Sequence, residues 1–125
     1  MNAITSIGKY IFLIPFAAFG LFHLMQGADM AGMVIPNLPG NTILVYLTGV
    51  GMLAFVVSAL IGKYDKLAGV LLALMLILIV VLVHAPGLSA EDNTMAMSMT
   101  LKDLGLTGGA LMFAGAYAKD KSIIG

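Results

Sequence analysis

Charged residues in this chain do not alternate with apolar ones; they punctuate long apolar stretches. Uncharged runs cover 10–28, 43–62 and 67–85, each close to the roughly 20 residues that a helix needs to cross a bilayer. A last run, 104–118, has fifteen residues. At about 1.5 Å per residue it reaches roughly 22 Å, short of a hydrocarbon core of about 30 Å. A fourth crossing must therefore start near Met99 and carry Lys102 and Asp103 about one turn inside the boundary. The pattern predicts helices at about 9–27, 42–62, 66–85 and 99–118, an interfacial loop 28–41 and an outer loop 86–98. The expected fold is all-α: one domain over 1–125, an integral membrane four-helix transmembrane bundle.

Local chemistry modifies this outline. Pro15 lies inside the first helix and removes one backbone donor, so a kink is expected there. Met30, Met33, Val34 and Ile35 make the first connection too apolar for a solvated loop, and Pro36 and Pro39 keep it from forming a helix of any length. The first helix reads as retained, not as a secretory signal: its apolar run is long, and "FHLMQGAD" is a poor cleavage site. The first and third helices both end in a histidine followed by a Pro/Gly turn, a weak internal echo of two hairpins.

Composition agrees with the bilayer as solvent. Hydrophobic residues make up 61% and charged residues 10%, against about 45–50% and about 25% in ordinary soluble domains. Arginine is absent and the lysines are scattered, which argues against nucleic acid. There is no cysteine, which removes disulfides, thiol catalysis, iron–sulfur ligation and zinc–thiolate sites. A redox role would need a bound cofactor or a redox partner protein. Lys9, Lys63, Lys66, Lys119 and Lys121 fall on one side of an up-down path. The other side carries Asp29, Glu91 and Asp92, with no lysine before Lys102. The positive-inside rule then places both termini in the cytoplasm of a multi-pass protein of a bacterial inner membrane.

Helices in lipid pack through small residues. Gly105 and Gly109, with Gly108 and Gly115 one face over, offer this on the fourth helix; Gly49 and Gly51 do so on the second, Ala17 and Gly20 on the first. The third helix is bulky and nearly uniform, and is expected to face lipid or a second subunit of a homo-oligomer.

Polar groups gather at the outer end. His23 shares a face with Gln26, His84 closes the third helix, Tyr46 and Thr48 open the second, and Lys102 and Asp103 open the fourth. Neighbours on a helix point about 100° apart, so Lys102 and Asp103 cannot fully satisfy each other. An intramembrane charge costs at least a few kcal/mol unless paired, so partners are expected among His23, His84, Gln26, Asp29 and Tyr46. One reading is structural: Asp103 caps the helix, Lys102 snorkels, and the histidines bond between helices. The other is a shallow site for a polar headgroup or quinone ring, above an apolar shaft of Phe16, Phe19 and Leu106. There a histidine would handle protons and Lys102 would polarise a carbonyl. Met95, Met97 and Met99 at alternate positions raise Cu(I) ligation, although methionine is also an adaptable filler. A transporter finds no polar path across the bundle.

The segments "FGLFHLMQG", "MVIPNLPG", "YLTG", "HAPG" and above all "LKDLGLTGGAL" resemble the DoxX family of small four-helix bacterial membrane proteins, over nearly the whole chain. The Lys-Asp-Leu run opening the fourth helix is the most specific element. The resemblance implies a four-helix membrane subunit, with quinone-linked redox work, as in the DoxD-type subunit of thiosulfate:quinone oxidoreductase, or an oxidative-stress complex as precedents. It does not imply the thiosulfate reaction, since no cysteine is present to hold a sulfur intermediate. Only Lys102 and Asp103 map onto a family signature. The expected function is a small inner-membrane subunit with a polar site at the outer end; the alternative is a non-enzymatic scaffold or assembly factor.

Overall fold

The computed structural model describes residues 3–34 and 39–125, and the elements among them are helical without strands. In order they are α1 (Ala3–Ser6), α2 (Gly8–Met25), α3 (Gly27–Val34), α4 (Asn41–Ile61), α5 (Asp65–Ile79) and α6 (Thr94–Ala116). α5 continues through a π-helical turn, Val80–His84, and a 3-10 turn, Ala85–Ser89. Among the described residues three helical runs are long and apolar enough to cross a membrane: Ala3–Met25, Asn41–Ile61 and Asp65–Ser89. α6 has the length, with 23 residues, but its Lys-Asp pair and its Ser, Thr and Gly positions lower its hydropathy.

Two boundaries differ from the sequence expectation. The first connection contains a helix of 8 residues, α3. Gln26 separates it from α2: its N–H caps α2 on the Phe22 carbonyl at 2.8 Å, while its own carbonyl receives the Met30 N–H at 2.9 Å. The expectation placed on Ile35 and Pro36, and on the side chains of Met33 and Val34, falls outside the described residues. At the other connection α6 begins at Thr94, not near Met99. Asn93 sets this start, its amide donating to the Leu88 carbonyl at 3.1 Å and its carbonyl accepting the Met97 N–H at 2.8 Å.

All four long helices contribute to one core, which includes Leu13 and Phe16 of α2, Phe55 of α4, Leu72 and Leu76 of α5 and Phe113 of α6. The rings meet edge to face: Phe12–Phe16 at 5.1 Å, Phe16–Phe55 at 5.6 Å and Phe55–Phe113 at 5.3 Å. Such pairs add about 0.5–1.5 kcal/mol beyond area burial.

The helices associate as two pairs, α2 on α4 and α5 on α6, joined where α4 meets α5. In the first pair the backbones nearly touch. A Cβ on Gly49 would lie 2.8 Å from His23 Cβ and 3.0 Å from the Gly20 carbonyl oxygen. In the second, a Cβ on Gly69 would lie 3.2 Å from Ala114 Cβ and 3.3 Å from the Ala110 carbonyl oxygen. α5 buries one stripe at helical spacing, Gly69, Leu72, Ala73, Leu76 and Val80, and turns the rest of its surface outward, as its composition suggests, with Leu71, Leu74, Leu78, Val81 and Leu82 exposed. The expected glycine face of α6 is mostly unused, since a Cβ on Gly105, Gly108 or Gly115 would meet nothing within 4 Å beyond its own helix. Only Gly109 packs, against the Phe12 ring. α2 and α6 thus face each other across a seam bridged by long side chains.

Gly49→Val should cost about 1–3 kcal/mol, because backbone and Cβ atoms cannot yield to it. Gly108→Ala should leave stability unchanged or raise it by up to about 1 kcal/mol. Thermal unfolding of both variants in detergent micelles checks this contrast.

Candidate functional site

Asp103 is the centre of the polar group at the α5–α6 turn. It is 4% exposed, and its Oδ2 lies 3.0 Å from His84 Nε2. Nε2 is therefore the protonated ring nitrogen that donates to the carboxylate. His84 ends the π-helical turn, whose extra residue rotates the side chains beyond it by about 100° relative to an uninterrupted helix. The Lys102 ammonium sits 3.5 Å from Asp103 Oδ1 and 4.8 Å from the Phe19 ring centroid, with 42% of its side chain exposed. The arrangement is a buried hydrogen-bonded carboxylate with one inner partner and one outer, half-free cation.

Asp103 does not cap its helix. Asn93 occupies the N-cap position, Asp103 lies in the third turn, and the helix dipole fades beyond the first. What holds Asp103 is His84. Thr100 and Thr107 extend its buried face at spacings of three and four residues. The Thr107 hydroxyl donates to the Asp103 carbonyl at 2.7 Å, whereas the buried Thr100 Oγ1 has no hydrogen-bond partner.

The remaining expected members do not join this group. The His23 Nδ1–H donates to the Phe19 carbonyl of its own helix at 2.6 Å, and its Cβ lies against Gly49. Gln26 is the exposed junction of α2 and α3. The Tyr46 ring lies on Gly27, where a Cβ would fall 2.4 Å from it. His23 and Tyr46 are thus occupied by the close approach of α2, α3 and α4. The expected shaft is also closed at Phe16, which is 0% exposed within the aromatic core, while Phe19 serves as the platform beneath Lys102. Met95, Met97 and Met99 lie on α6. On a helix Met95 and Met99 share a face and Met97 points away, so the three thioethers cannot converge on one copper ion.

A second polar group lies at the opposite end of α5, away from the outer cluster to which the sequence points. Asp65 is 1% exposed. Its carboxylate accepts the N–H groups of Lys119 at 2.8 Å and Asp120 at 2.7 Å, and its own Lys66 N–H at 3.1 Å. Asp120 returns the contact by accepting the Tyr64 N–H at 2.7 Å and the Ser122 N–H at 3.0 Å. The α4–α5 turn and the C-terminal segment are thereby clamped together. Tyr64 takes a left-handed conformation, φ 56°, which costs about 1–2 kcal/mol for a residue with a Cβ; the Asp120 bond helps hold it. Ser122, followed by the Tyr64 amide and Lys63, holds the Asp120 carboxyl below its ordinary value. In the sequence the signal was "KYDKL", an acid opening an apolar helix, the position where a carboxylate finds free amides.

Asp103→Ala, which strands the His84 N–H and Lys102, should cost about 3 kcal/mol. Thr100→Val should be neutral or stabilising, because it removes an orphaned hydroxyl. Thermal melts of the two variants check both. Asp65→Ala should free the C-terminal segment and cost about 3 kcal/mol or more, since three amides lose their acceptor. Because its folded-state value is depressed, Asp120 stabilises the clamp above the unfolded carboxylate value and ceases to do so as pH falls through the lower folded value. Protection of the Tyr64 and Ser122 amides against exchange, relative to their intrinsic rates, should accordingly fall below about pH 4, and this loss should be absent in Asp120→Asn.

Compared with known proteins, the chain matches no family model, no curated protein and no solved structure. Function is therefore to be read from the side chains themselves.

Proposed function

We propose that the protein is a four-helix transmembrane bundle of the DoxX type in a bacterial cytoplasmic membrane, with both termini on the cytoplasmic side. We further propose that the Lys102–Asp103–His84 group receives the polar head of a quinone or similar amphiphile at the outer end, in support of a redox partner. Three long apolar helices and the lysines at the Asp65 end support the embedding.

The observation that carries the ligand reading is the half-exposed Lys102 ammonium held over Phe19 beside a buried carboxylate. Asp103 is already engaged by His84 at 3.0 Å, and its looser 3.5 Å approach leaves Lys102 with donors to spare. A ring carbonyl could accept from Nζ while the ring lies on the Phe19 face, and His84 stands one carboxylate away as a proton carrier. The rival, a non-enzymatic scaffold, draws on the solid packing of Phe16 and the inward use of Asp103. In that case the polar group would serve only to pin α5 to α6.

Titration of the purified protein with a soluble quinone tests the two. Binding should weaken by about tenfold or more in Lys102→Met, the loss of one charged hydrogen bond, and also in His84→Ala. Equally poor binding by wild type and both variants, with in vivo complementation intact, would favour the scaffold.

A further inference from the structure

Lys9 presents a different problem from Lys102. It lies in the first turn of α2, where the helix dipole disfavours a cation, and no carboxylate lies within ion-pair distance of it among the described residues. The two ion pairs of the described residues lie at the other end. The acids near its own end are occupied by main chain: Asp65 by the amides of Lys119 and Asp120, and Asp120 by those of Tyr64 and Ser122. Among the described residues its ammonium has only the neighbouring Tyr10 ring, 5.0 Å from the centroid.

Beside Lys9, the seam between α2 and α6 contains a cavity of about 150 Å³, open to one side. Phe12, Gly109, Met112 and Phe113 give it apolar walls, and Gly8, Lys9 and Tyr117 complete the lining. Glycine creates the space. The Phe12 ring lies directly on Gly109, where a Cβ would fall 2.6 Å from it, and Gly8 has nothing within 4 Å. Its volume matches that of an apolar site able to hold a group as large as benzene, equivalent to about six carbons of a chain.

We propose that this seam binds one anionic phospholipid, with part of an acyl chain in the cavity and the phosphate on Lys9. The proposal rests on the membrane embedding proposed above but not on quinone binding. Charge complementarity selects the occupant: an unpaired cation and a helix N-terminus both favour an anion, and they adjoin walls that favour hydrocarbon. Tyr117 and Lys9 are also residue types that anchor at a bilayer interface, with an apolar body and a polar tip.

Native mass spectrometry of the full chain in detergent tests this, with titrations of phosphatidylglycerol, phosphatidylethanolamine and inorganic phosphate. One phosphatidylglycerol should bind about fivefold more tightly than phosphatidylethanolamine, the effect of one lysine near an anionic head. Lys9→Gln should abolish that preference. Gly8→Leu, at an exposed helical position with room for a side chain, should weaken both lipids by obstructing the cavity. Unchanged phosphatidylglycerol binding in both variants would overturn the proposal, as would inorganic phosphate binding as tightly as the lipid. A quinone titration of the same wild-type sample separates the two readings, since its failure beside a retained lipid adduct sinks only the outer-end site. Release of the protein from carbonate-washed membranes would sink the embedding and the lipid site together.

Discussion

A carboxylate removed from water must have its charge answered, and two such groups set the geometry of this protein. Asp65 opens α5 and takes the amides that follow α6. Asp103, in the third turn of α6, takes the imidazole that follows α5. The α5–α6 pair is thus tied at both ends by a buried acid, and between the ties Gly69 lets the two helices close on Ala110 and Ala114. A slide of α6 by one turn would strand both acids, at several kcal/mol each. The π-helical turn at Val80–His84 belongs to the same constraint: it turns His84 toward Asp103 while Asp65 keeps its hold on the far end.

The α2–α4 pair is built differently. It uses no ion pair; Gly20 and Gly49 bring backbone to backbone, and His23 and Leu53 close over the contact. The cost is paid in polar availability, because His23 then bonds to its own helix. One histidine of the two is consumed by packing and the other by charge compensation. The edge-to-face cluster of Phe12, Phe16, Phe55 and Phe113 joins the pairs, and the α2–α6 side is left as a seam with Lys102 toward one end and Lys9 at the other. Lys102 has a carboxylate and a ring beneath it, whereas among the described residues Lys9 has only a ring. The two ends of the seam therefore differ in chemistry: at one the cation stands beside a carboxylate, at the other it does not.

Much of this was legible in residue order. Uncharged runs located the long helices, and the Lys-Asp pair announced a buried acid in need of a partner. The start of α6 was misjudged because it was counted from the charges, whereas Asn93 and its bond to Leu88 set it five residues earlier. Asp65 was passed over because an acid in a lysine-flanked turn looks solvated; its burial depends on a C-terminal segment more than fifty residues away.

The sequence by itself determined which segments must be helical and apolar and that Asp103 could not remain alone, because hydropathy and the cost of a desolvated charge are local properties. Only the tertiary structure decided that His84 and not His23 would answer it, that Asp65 would clamp the far end, and that α2 and α6 would stand apart. Those outcomes depend on how each helix is rotated about its axis. That rotation is fixed by where glycines let backbones touch and where one extra residue in a turn re-aims a side chain.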